Sequence, residues 1–313
     1  MRSPAAAPSI QDPRRSQGLG LLAAVRPARL AGSLLGIALG GALAIGEPGP
    51  SRWPVWGAVA LAALFLHAGG RLLDEAADRR RAKANPWHVS RVRSNASPGA
   101  LAAAAAVCFA VGSFLGFLGV IERGWPLFWM GVGGMAGAIL YSQGPALRDR
   151  LLGAPLAFVL FGPLPAVAGF LAVTGRWQPL AVRIAVPVGL LAAASVLARE
   201  VRDVVDDGRA GATTLAGLLR RPLADFLLIA LLAAAYLWPL GLAARGMLAW
   251  ANLAPWLTLP SAIGIVRQLR AHPDEGTPEL EGLPDRVARL FLRFAALYVA
   301  SLAVSQLIWQ RAA

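Results

Sequence analysis

Apolar residues along this chain come in long runs, and most of the charged residues are crowded into the short stretches between them. Runs of about 18 or more apolar residues are each long enough to cross a ~30 Å hydrocarbon layer as a helix. Nine such segments can be drawn, at roughly 29–47, 53–71, 99–120, 125–143, 153–174, 179–198, 222–243, 247–267 and 288–310. The eighth carries Pro255 and Pro260. Inside a helical bundle, proline and glycine are tolerated, because neighbouring helices satisfy the backbone and small residues permit close approach. The pattern predicts an all-α fold, a polytopic membrane bundle over residues 29–313. Residues 1–28 are rich in Pro, Ala and Arg, lack periodicity and lack the apolar core of a signal peptide. They are expected to form a disordered cytoplasmic tail.

Composition agrees with a membrane protein. Of the 313 residues, 57% are hydrophobic and only 15% charged, too few charges to cover the surface of a soluble domain of this length. A net charge of +13 would suit nucleic acid, but membrane topology explains it more economically. With the N-terminus inside and nine crossings, the inner segments hold 24 basic residues and the outer ones hold the other 6. That asymmetry predicts a cytoplasmic N-terminus in a cell's inner (plasma) membrane. The single cysteine, Cys108, lies within an apolar run and offers neither a disulfide framework nor a thiolate metal site.

The acids follow the bases to the inner face, where an orientation signal alone does not require them. Asp74 and Asp78 lie in GGRLLDEAADRRR, after the second apolar run. Glu200, Asp203 and Asp207 lie in REVRDVVDDGRAG, after the sixth. Spacings of three, four and seven put such acids on one helical face. A single acid beside arginine at a helix end is usually a solvated ion pair of little consequence. Two paired sets at corresponding places point instead to a divalent cation and, through it, a diphosphate.

These residues resemble the UbiA superfamily of intramembrane prenyltransferases. Gly70 to Asp78 occupies the frame of that family's first motif, N-x-x-x-D-x-x-x-D, with the downstream R-P falling at Asn85-Pro86. Glu200, Arg202, Asp203, Asp207, Gly211, Thr214 and Leu215 match the second motif, in the form found in menaquinone-type (1,4-dihydroxy-2-naphthoate) polyprenyltransferases. YSQGPALRDRLLG and FGPLPAVAGFLAVTG resemble the segments between them, and the likeness runs from about residue 26 to residue 220.

The resemblance implies a helical bundle around a central cavity open to the cytoplasmic side. It also implies transfer of an isoprenoid from a prenyl diphosphate to an acceptor, an aromatic one being an option, with Mg²⁺ as cofactor. Asp74 and Asp78 would serve one metal, and Asp203, Asp207 and Glu200 the other. Arg148 stands at the family's diphosphate-contacting lysine and Arg150 at the arginine that follows it; Arg202 would contact diphosphate or hold its neighbouring acids, Arg91 lies near a further family arginine, and Tyr141 would orient substrate or pack at the interface. The sequence departs from the family at Gly70, which removes a side-chain ligand, at Asn85, at Arg199-Glu200 in place of two asparagines, at Ala154, and at Ala212 in place of a lysine.

Two other functions compete. A UbiA-type terpene cyclase or diphosphate-lyase would ionise the same diphosphate without an acceptor. A transporter or non-catalytic scaffold would use the acids for cation or proton passage, but its ionisable groups belong near the bilayer midplane rather than at one face. His67, one turn before Gly70, can line a cavity or pack at the helix end, and packing is the commoner role. No histidine cluster suggests a transition metal. Tryptophans such as Trp53, Trp125 and Trp177 sit at span ends, as an interfacial aromatic belt requires.

Overall fold

A computed structural model describes residues 20–312 apart from 22, 26, 50, 85–93, 144–146, 148–150, 210 and 272–279. Among the described residues the chain is all-α, with no strand. The helices are α1 (Pro27–Ala44), α2 (Trp53–Ala84), α3 (Pro98–Arg123), α4 (Trp125–Ser142), α5 (Gly153–Phe161), α6 (Pro163–Thr174), α7 (Pro179–Arg209) and α8 (Leu215–Ala244). A 3-10 segment (Trp250–Thr258), α9 (Leu259–Ala271) and α10 (Leu283–Ala312) complete the order. Six helical stretches are long and apolar enough to cross a membrane, and Leu30–Ala44 is a shorter apolar helix. The protein is a multi-pass membrane protein.

Every expected apolar segment falls on helix, but several extents differ. Helices α2 and α7 run on to Ala84 and Arg209, past the expected 71 and 198. Their charged tails are good helix formers, and ion pairs one turn apart support them: Arg71–Asp74 at 3.1 Å and Asp206–Arg209 at 3.9 Å. The fifth segment is split at Gly162, because Pro163 opens a new helix there. A Cβ on Gly162 would lie 2.6 Å from the Gly189 Cα, so the break also lets α7 approach closely. The first half of the eighth segment is 3-10 around Pro255. Helix α8 begins at Leu215, not 222, where the Thr214 hydroxyl accepts from Gly217 N–H at 3.3 Å and caps it. It kinks at Arg220, whose φ of 58° is unusual for a side-chain-bearing residue, just ahead of Pro222.

The end of the expected disordered tail is helical. Gly20, Leu21 and residues 23–25 already have helical backbone, and Leu21, Ala24 and Val25 pack with Leu72, Ala76 and Leu101. Three apolar side chains one turn apart explain why the chain is ordered there. Residues 1–19 lie outside the described residues.

Backbone-to-backbone packing sets the centre of the bundle. A Cβ on Gly40 of α1 would sit 1.9 Å from the Ala166 oxygen, and one on Gly169 of α6 would sit 2.3 Å from the Ile37 oxygen. Only hydrogen fits at either position, which is how small residues join helices in lipid. At the end of the bundle opposite the acid clusters, Arg52 pairs with Glu122, and Arg176 lies 3.7 Å from Glu47. Arg123 donates to the Ala172 carbonyl at 2.9 Å and to that of Val173, satisfying the last turn of α6.

Gly40→Val should destabilise the protein by about 1–3 kcal/mol or more through overpacking. Gly57→Ala, where a new Cβ meets nothing within 4 Å, should be neutral or slightly stabilising. Thermal unfolding of both variants in detergent checks the contrast.

Candidate active site

Helices α1 to α7 and α10 border a cavity of about 690 Å³. Its body is apolar, with Val59, Leu66, Phe117, Leu127 and Phe161 among its walls. Its polar residues gather toward one end, because Arg71, Asp74, Tyr141 and Arg199 all come late in helices whose earlier residues line the apolar body. Fifteen residues separate Val59 from Asp74 along α2, a rise of about 22 Å. A slot of that length with a charged end suits a long apolar molecule carrying a polar head.

The charged end is held by specific contacts. Arg71 donates to Asp74 Oδ2 at 3.1 Å, one turn away on α2. Arg199 Nη2 of α7 donates to the Tyr141 hydroxyl of α4 at 2.8 Å, joining the two helices across the cavity end. Gln143 Nε2 donates to the Leu73 carbonyl at 2.9 Å and ties the end of α4 to α2. Deeper in, the Ser33 hydroxyl donates to the Leu30 carbonyl at 2.9 Å, so its oxygen accepts from His67 Nδ1 at 3.1 Å. His67 thus lines the cavity and is also packed, edge-on to Phe161 at 5.1 Å.

The two acid clusters are built differently. Asp74 and Asp78 are both buried, but only Asp74 borders the cavity. On α7, Asp203 is half-buried and accepts from Arg202 Nε at 2.6 Å and Nη2 at 2.8 Å. Asp207 is buried. Glu200 is buried too; its Oε2 accepts from Ala216 N–H at 3.2 Å, in the first turn of α8, and its Oε1 has no hydrogen-bond partner among the described residues. A carboxylate at a helix N-terminus is a stabilising position. Glu75 does similar work in the first cluster, accepting from Ser94 N–H at 2.6 Å. Each glutamate fastens the segment that follows its own helix. Among the described residues, no three His, Cys, Asp or Glu side chains converge as a ready-made metal cage.

Arg91, Arg148 and Arg150 lie outside the described residues, as does Asn85-Pro86. Three residues with clear structural roles were not anticipated. Arg71 and Glu75 were not singled out in the sequence, and Arg199 stood there only as a departure from the motif. For Arg71 the available signal was its position three residues before Asp74, on the same helical face.

Residues 34–279 match the model of the UbiA prenyltransferase family. The chain belongs to that family. UbiA relatives include the UbiA prenyltransferase domain-containing protein 1 of Danio rerio, 29% identical over 282 residues, 88% of this chain and 81% of the relative. The Drosophila melanogaster homolog of that protein is 32% identical over 169 residues, 54% of this chain and 45% of the relative. A 1,4-dihydroxy-2-naphthoate octaprenyltransferase of Bacillus subtilis is 28% identical over 167 residues, 53% of this chain and 52% of the relative. The match thus spans about half the length of the fly and Bacillus relatives. Among solved structures, a UbiA homolog from Archaeoglobus fulgidus bound to GPP and Mg²⁺ superposes with a TM-score of 0.64 at 17% identity, covering 90% of this chain and 98% of that one. The apo UbiA homolog from Aeropyrum pernix gives 0.59 at 18% identity, covering 88% and 97%. At these identities the likeness is one of fold.

Glu75→Ala should cost about 1–3 kcal/mol of stability, because it leaves the buried Ser94 N–H without its acceptor. The thermal midpoint of the purified protein measures it; an unchanged midpoint would remove Glu75 from its structural role.

Proposed function

We propose that this chain is an integral membrane prenyltransferase that moves an isoprenoid from its diphosphate to an aromatic acceptor. One observation carries the proposal: an apolar cavity within a UbiA-family bundle ends in charged side chains from α2 and α7. The isoprenoid occupies the apolar body and the diphosphate occupies the charged end. The Bacillus relative is named for an aromatic acceptor, which supports that choice here.

The donor set suits magnesium. Asp74 and Asp78 of α2, and Asp203, Asp207 and Glu200 of α7, are the residues that would hold it. Glu200 Oε1 is a buried carboxylate oxygen with no donor among the described residues, as a cation ligand would be before its ion arrives. A hard ion that takes one or two carboxylates and completes its shell with water and phosphate needs no protein cage. Bound magnesium supplies positive charge to the departing diphosphate. Arg202, with Arg148, Arg150 and Arg91, contacts the same anion. Tyr141, fixed by Arg199, orients the substrate head. The apolar walls exclude water from the allylic carbocation left when the carbon–oxygen bond breaks, so the acceptor reaches it first.

Nine crossings with a cytoplasmic N-terminus put this site at the inner face of the plasma membrane, in keeping with 24 of the 30 basic residues lying on that side.

Purified protein in lipid nanodiscs, given labelled geranylgeranyl diphosphate and a panel of aromatic acceptors, should release diphosphate and form product with Mg²⁺ but not with EDTA. Asp74→Ala and Asp203→Ala should each lower turnover at least about a hundredfold in protein that still folds. Absence of turnover in wild-type protein with every acceptor contradicts the proposal. Normal rates in either variant contradict the assigned acids.

A further inference from the structure

We infer that His67, steadied by Ser33, is the hydrogen-bonding partner of a hydroxyl group on the aromatic acceptor, which makes phenols the class of ring this chain takes. The inference rests on the function proposed above and adds recognition of the acceptor to it. His67 lies four residues before Arg71 and seven before Asp74 on α2. At 1.5 Å per residue it sits about 6 Å and about 10 Å from them along the helix axis, toward the apolar body. An isoprenoid whose diphosphate occupies the charged end has its first carbon at that depth. A ring that attacks this carbon lies at the level of His67.

The surroundings of His67 suit a phenol. Its Nδ1 is 3.1 Å from the Ser33 hydroxyl of α1, which is bonded in turn to the Leu30 carbonyl at 2.9 Å. The other ring nitrogen, Nε2, has no hydrogen-bond partner among the described residues. His67 is partly exposed, and both it and Ser33 line the cavity. A histidine held by one nitrogen and open at the other donates to a ligand hydroxyl or accepts from it, according to its tautomer. A phenol meets either need. Packing alone leaves the open nitrogen unexplained, because a polar atom facing apolar walls costs free energy until a partner meets it. Aromatic side chains flank the same point. Phe161 meets the His67 ring edge-on at 5.1 Å. A Cβ on Gly32, the neighbour of Ser33, would come within 2.8 Å of Phe291 and 3.8 Å of Phe161. The bare backbone of α1 thus lets both rings lie beside the Ser33–His67 pair, and both line the cavity. Edge-to-face and offset contacts with such rings favour a flat aromatic guest.

Magic-angle-spinning NMR of protein labelled with ¹⁵N-histidine, in lipid, tests the contact without turnover. The chain has three histidines, and the ring signals lost in His67→Gln identify those of His67. Added 1-naphthol should shift them, whereas naphthalene, the same ring without the hydroxyl, should leave them in place. With labelled geranylgeranyl diphosphate as donor and 1-naphthol as acceptor, His67→Leu should raise KM for 1-naphthol about tenfold or more. KM for the diphosphate should stay unchanged. His67→Gln should recover part of the loss, since an amide both donates and accepts. Thermal midpoints identify a leucine variant that fails to fold, and the glutamine variant then carries the kinetic test. Ring signals that ignore 1-naphthol, or that respond equally to naphthalene, overturn the inference, as does a wild-type KM for 1-naphthol in His67→Leu. If Mg²⁺-dependent turnover of any acceptor persists in that case, the proposed function stands. If His67 responds to 1-naphthol but no acceptor is turned over, the phenol contact stands and the proposed function falls.

Discussion

Charged groups removed from water cost several kcal/mol unless a partner meets them, and this bundle places arginines and carboxylates at one end of an apolar cavity. The other parts of the site follow from that constraint. Asp74 is matched by Arg71 on its own helix, and Arg199 by Tyr141 from another. The contacts hold α2, α4 and α7 around one opening. A cavity that was only apolar would admit any lipid tail; charge at one end makes this one amphipathic.

The same economy governs how the chain leaves each acid cluster. Beyond α2 and beyond α7, a buried glutamate accepts a backbone N–H from the segment that returns to the bundle: Glu75 from Ser94, and Glu200 from Ala216. Neither glutamate borders the cavity. Their carboxylates fix the frames on which the aspartates are carried, and Glu200 keeps a second oxygen available. At the opposite end of the bundle, arginines bind helix-terminal carbonyls and pair with Glu47 and Glu122, a structural use of charge.

Hydropathy placed the apolar segments on helical structure, because a run long enough to cross lipid has few other structures open to it, but among the described residues six of the helical stretches are long and apolar enough to cross a membrane. Hydropathy is a poor guide to ends, since α2 and α7 continue through charged residues whose helical support comes from side-chain pairs one turn apart. It also missed the break at Gly162, where Pro163 opens a new helix and the close approach of Gly189, a contact distant in sequence, is accommodated. Motif spacing singled out Asp74 as a candidate site residue, and Asp74 borders the cavity. Spacing did not distinguish Asp74 from Asp78, nor reveal that Glu200 is fastened to Ala216, because neither fact is local. Arg199 was legible only as a substitution, and its role depends on Tyr141, 58 residues away.

The most direct measurement is an electron cryo-microscopy structure of the protein in nanodiscs with a non-reactive prenyl thiodiphosphate and Mg²⁺. The account predicts the anionic head beside Asp74 at the charged end of the cavity, with the isoprenoid running toward Val59 and Leu127. A head group bound elsewhere, or an isoprenoid lying outside this cavity, would contradict it.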